Sequence, residues 1–182
     1  MRSRDLAQVA LFAAIMVVLG FFPLIQLPGA FAPFTSQTLG VILAGSILGA
    51  RRGALAILLF DALVVVGLPV LPGGRGGLSV IMGPTGGFVI AYPIGALVIG
   101  LLTERLWRQY NPPIAFAINF FGGAVVLYLI GVPWMAAAAH ISLGKAIVTS
   151  VAFLPGDVVK AVIGSAAAIA VKKAYPMIPA RA

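Results

Sequence analysis

The chain has 182 residues, of which 62% are hydrophobic and 9% charged, against roughly 45–50% and about 25% in soluble domains. The net charge is +8 and there is no cysteine, which excludes disulfides and thiolate metal sites. The basic residues are not interleaved with aromatics, so the charge does not read as a nucleic-acid surface, and the composition is that of an integral membrane protein with room for one compact helical bundle.

Arg2 and Arg4 precede a first apolar run over about residues 6–22. Ala30-Phe31-Ala32 has the look of a small-x-small cleavage site, yet the chain beyond it is just as hydrophobic and Pro23 intervenes. The run is therefore expected to be the first membrane helix. On it, Ala10-x-x-x-Ala14 forms a strip where another helix could approach closely, either inside the bundle or in a partner. Helix two is predicted at about 35–50, ending in Gly45-x-x-x-Gly49-x-x-x-Gly53, whose small faces suit packing inside the bundle. Helices three to six are predicted at about 53–68, 86–103, 113–132 and 156–173. Several fall short of the ~20 residues that span a bilayer. Residues 136–153 are also helical in character and are cut from helix six by Pro155. They read as an interfacial or re-entrant helix, with a seventh span left open. The expectation is one all-α transmembrane domain over 1–182, a six-helix bundle.

The basic clusters set the topology. Arg2/Arg4, Arg51/Arg52, Arg105/Arg108 and Lys172/Lys173/Arg181 place nine of the twelve cations on one side, which the positive-inside rule makes cytoplasmic. Both termini are then cytoplasmic. Arg75, Lys145 and Lys160 break the rule toward the outer face. Three segments on that face are unusual: residues 23–34, long and nearly uncharged; residues 71–87, seven glycines around Arg75; and residues 133–156. Irregular backbone at membrane depth persists where it is buried in protein or lines a cavity. Leu78-Ser79-Val80-Ile81-Met82 inside the second segment suggests a folded lid.

No motif for nucleotide hydrolysis is present, since Gly144-Lys145 is followed by Ala146. His140 is the single histidine, so no metal site, no catalytic residue and no cofactor are expected. Asp157 and Lys160 are three apart and share a helix face, and no charge follows from 161 to 171. Ionisable groups inside a bilayer usually face a cavity or each other. A structural ion pair and a ligand site are both consistent with the pair.

Taken together, Pro33-Phe34-Thr35-Ser36-Gln37-Thr38-Leu39-Gly40, Gly67-Leu68-Pro69-Val70, Gly73-Gly74-Arg75-Gly76-Gly77-Leu78, Gly83-Pro84-Thr85-Gly86-Gly87-Phe88 and Phe153-Leu154-Pro155-Gly156-Asp157-Val158-Val159-Lys160 resemble the BioY family. These are the biotin-specific substrate-binding (S) components of energy-coupling factor (ECF) vitamin transporters. The resemblance covers about nine-tenths of the chain, in order. It implies a six-helix fold that captures biotin near the outer face, with a coupling subunit and two separate ATPases as partners. The implied substrate-binding residues are Asp157, Lys160, Arg75, Gln37, Asp61, Gly74 and Gly76, and the Ala10/Ala14 strip matches the surface that contacts the coupling subunit.

Biotin offers two ureido N–H donors, a carbonyl, an apolar ring and a carboxylate tail. Asp157 suits a ureido N–H, and Lys160 suits the carbonyl or the aspartate. Arg75 suits the tail or lid closure, and Gln37 adds a neutral hydrogen bond. The alternatives are an S component for another small vitamin, a membrane-embedded enzyme, or an assembly protein without a ligand.

Overall fold

A computed structural model describes residues 2–22 and 35–178. The expected outer segment 23–34 and Arg181 lie outside the described residues. Among the described residues the chain is helical apart from one isolated antiparallel bridge, Leu71 to Arg75.

α1 (Ser3–Gly20) begins where the Asp5 carboxylate accepts the Arg2 backbone N–H at 3.0 Å and closes the first turn. α2 (Gln37–Leu48) is short and buried almost all round, as a helix that is apolar on every face must be. It packs against α1, against α3 (Ala50–Val66), against α5 (Gly86–Arg105) and against α9 (Leu154–Ala174), and is the centre of the bundle. A five-residue helix, α4 (Leu78–Met82), lies between α3 and α5. α6 (Pro112–Phe120) opens at Asn111, whose side chain accepts from Ile114 N–H, with prolines in the first turn. A π turn (Phe121–Val125) carries α6 without interruption into α7 (Val126–Ala138). α8 (Leu143–Val151) starts at the Ser142 cap and packs on α7.

Several boundaries differ from the sequence reading, each for a local reason. Helix two ends at Leu48, since Gly49 has φ 84° and turns the chain so sharply that Arg51 and Arg52 fall inside α3. Glu104 Oε1 accepts the Ala50 N–H there at 2.8 Å, and a β-carbon on Gly49 would lie 2.5 Å from the same oxygen. The fifth run does not stop at 132: Pro133 is accommodated within α7, which continues to Ala138. Transmembrane helices tolerate proline when neighbours satisfy the freed backbone. Consequently the predicted 136–153 helix divides into the end of α7, a turn at His140 (φ 53°) and α8.

The chain runs back and forth between two ends. Gly87 meets Trp134 while Gly95 meets Leu127, and Asn119 bonds Ser165 while Tyr128 bonds Asp157, so the α6–α7 rod runs antiparallel to both α5 and α9. One end is basic. Arg52 binds Gln8 at 2.8 Å, Asp5 at 3.4 Å and the Met177 carbonyl at 2.6 Å, while Lys172 donates to the Trp107 and Tyr110 carbonyls. The other end carries the glycine-rich loop, α4, α8 and the start of α9. Among the described residues four helices are long and apolar enough to cross a membrane: α1, α5, the α6–α7 rod and α9. The protein is an integral membrane protein.

Candidate binding site

At the glycine-loop end the helices line a half-open cavity. Its charged pair comes from α9. Pro155 occupies the first turn, and Asp157 follows in the same turn, where the positive end of the helix dipole favours a carboxylate. Asp157 and Lys160 are 5% and 7% exposed, and their ion pair is 3.0 Å long. Tyr128 of α7 donates its hydroxyl to the second carboxylate oxygen, and Lys160 also donates to Thr38 Oγ1 of α2 at 3.4 Å. Three helices thus hold one charged cluster.

The walls are apolar and aromatic. Phe88 of α5 meets Tyr128 edge to face, with centroids 6.2 Å apart at 89°. Leu127, Tyr92 and Phe153 also line the space, as does Gly123 from the π turn. π turns are frequent at functional sites because they shift the face a helix presents.

Arg75 closes the cavity from the loop. Gly73 and Gly74 adopt φ 79° and 68°, which lets the chain double back so that Leu71 and Arg75 pair through both backbone hydrogen bonds. Arg75 Nε donates to the Pro72 carbonyl at 3.1 Å, the one hydrogen bond its side chain makes among the described residues. The loop is moored to α3 by Gly77 N–H, which donates to the Val64 carbonyl at 2.7 Å.

Of the residues singled out from sequence, Asp157, Lys160, Arg75 and Gln37 meet in this one lining. Gln37 is buried, and its amide donates to the Val70 carbonyl at 3.2 Å, so it ties α2 to the loop as well. Gly74 and Gly76 line a neighbouring cleft instead. Gly76 has a backbone reason to be glycine, because a β-carbon there would lie 2.1 Å from the Leu68 carbonyl oxygen. Asp61 lies on α3 outside both linings, and its Oδ1 is buried without a hydrogen-bond partner among the described residues. Ala10 and Ala14 are exposed on α1, on the side away from its buried Val9, Phe12, Ala13 and Met16. Sequence reasoning did not single out Tyr128, Tyr92, Thr38 or Phe88. The available signal was a phenol at membrane depth, since a buried Tyr hydroxyl needs a partner.

The family model described as the BioY family matches residues 1–177. A relative in Rhizobium etli named biotin transporter BioY is 48% identical, with all of both chains covered. One in Bacillus subtilis named probable biotin transporter BioY is 43% identical over 95% of this chain and 92% of its own. Among solved structures, a crystal structure of the S-component for biotin from an ECF-type ABC transporter matches with a TM-score of 0.91 at 28% identity, covering 97% of each chain.

Proposed function

The chain belongs to the BioY family, and from that premise we propose how its cavity works. The protein is the biotin-binding S component of an ECF-type uptake transporter, a transport subunit and not an enzyme. Biotin is its cargo, and no other cofactor takes part. The ureido ring lies against Asp157, Lys160 and Tyr128. Asp157 accepts a ureido N–H, and Lys160 faces the ureido carbonyl while compensating the aspartate's charge. Phe88, Tyr92 and Leu127 enclose the thioether ring. The flexible tail points to the loop, where Arg75 pairs with its carboxylate. The buried ion pair supports this direction: a short polar head gains most where fixed partners are already desolvated, and the tail gains most beside the more accessible guanidinium.

The observation that carries the reading is the Tyr128–Asp157–Lys160 cluster set beside the aromatic and apolar wall of the cavity, with Arg75 in the same lining. That cavity lies at the opposite end from the basic clusters. By the positive-inside rule we read the cavity as outside and both termini as cytoplasmic, an orientation that suits six rods across the membrane. A coupling subunit meets the Ala10/Ala14 side of α1, and two ATPase subunits supply the energy for release inward. Competition binding on purified protein tests the assignment. Unlabelled biotin should displace labelled biotin one for one, and thiamine or riboflavin should not. Displacement by another vitamin at equal concentration would reassign the cavity.

A further inference from the structure

A second cleft abuts the biotin cavity on the far side of Arg75. It opens to the surface between the glycine loop and the α4–α5 corner, with Gly74, Gly76, Ser79, Gly83 and Pro84 among its walls. Arg75 and Thr85 belong to both linings, so these two side chains are the partition. Hydrogen bonds hold the corner of the cleft. Trp134 Nε1 on α7 donates to the Gly83 carbonyl at 3.0 Å, and Gly83 N–H donates to the Val80 carbonyl at 3.2 Å, which pins the corner. Gly77 N–H donates to the Val64 carbonyl at 2.7 Å, which tethers the loop opposite. Among the described residues Arg75 is the single charged one in the lining; the rest is neutral side chain and glycine backbone. Ser79 is exposed at the mouth.

A ligand with its head on Asp157 brings the end of its tail to this partition. Any group joined to the tail carboxyl continues past Arg75 into the cleft. Resting on the biotin reading above, we infer that the cleft is an extension subsite, and that the protein binds biotin amides, whose carboxyl is joined to a primary amine, as well as the free acid. The amide carbonyl still accepts from Arg75, and the amine-derived arm lies along Ser79, Gly83 and the glycine backbone. Binding should be on the order of tenfold weaker than for biotin, because the guanidinium then faces a neutral carbonyl in place of a carboxylate.

Calorimetric titration of the full purified protein with biotin, biotinamide and ε-biotinyl-lysine tests this. Wild type should bind all three, the two amides with similar affinity. Ser79→Trp fills the cleft from its mouth and should leave biotin and biotinamide within about twofold, while weakening ε-biotinyl-lysine about tenfold or more. Wild type that binds biotin and biotinamide but not ε-biotinyl-lysine overturns the extension subsite and leaves the biotin reading standing. Equal weakening of all three ligands by Ser79→Trp also overturns it. Absence of biotin binding in folded wild type removes both. Should Ser79→Trp fail to fold, Ser79→Leu and the wild-type ratio of the two amides decide the matter.

Discussion

An ammonium, a phenol and a helix terminus all converge on the Asp157 carboxylate, and each compensates for burying it. Removing the charge therefore harms both partners. Asp157→Asn leaves Lys160 buried beside a neutral amide and removes a charge-assisted acceptor for the ligand, a change of about 1.5–3 kcal/mol, or roughly 10- to 150-fold in biotin Kd. Tyr128→Phe removes one hydrogen bond to the same carboxylate and should weaken binding by about 2- to 12-fold, the equivalent of ~0.5–1.5 kcal/mol. Titration of both variants, with thermal unfolding as the control for folding, checks the order: Asp157→Asn worse than Tyr128→Phe. The Asp157–Lys160 pair was legible in the sequence because spacing of three fixes a shared helix face whatever the rest of the chain does. Tyr128 was not, since a tyrosine within an apolar run looks like any other core aromatic. Its role depends on α7 lying antiparallel to α9, a long-range contact with no local signature.

The same contrast holds for the elements. α2 and α3 meet at a single residue, and that residue has a φ that favours glycine. Gly49→Ala strains the backbone and drives a β-carbon onto Glu104 Oε1, which caps Ala50. The expected cost is about 1–3 kcal/mol of stability, read as a lower midpoint of thermal unfolding in detergent, with biotin affinity little changed in the folded fraction. The hydrophobic runs were plain in the sequence, and so was the glycine loop around Arg75. Their ends were less so. Pro133 reads as a stop in a soluble protein but sits inside α7 here, and the π turn at 121–125 has no periodicity to announce it. The lid-like stretch expected around 78–82 is α4, whose place is set by the Trp134–Gly83 hydrogen bond across the bundle.

At the scale of the whole molecule the polar cavity and the small-residue strip lie on separate surfaces. The polar cavity lies at the glycine-loop end, and Ala10 and Ala14 lie exposed on the flank of α1, which packs only through its opposite face. Small side chains on such a flank let a second helix approach closely in lipid. Ala14→Trp should keep biotin binding and lose co-purification with the coupling subunit, together with ATP-driven uptake; normal assembly would return the strip to lipid. The basic end owes part of its composition to packing, since Arg52 and Lys172 bind carbonyls and aromatic rings within the chain. The most direct test of the account is a structure of the protein with biotin bound. The account predicts the ureido ring within hydrogen-bond distance of Asp157, with Tyr128 beside it and the tail carboxylate at Arg75. Biotin found with its head at Arg75, or anywhere outside this cavity, would contradict it.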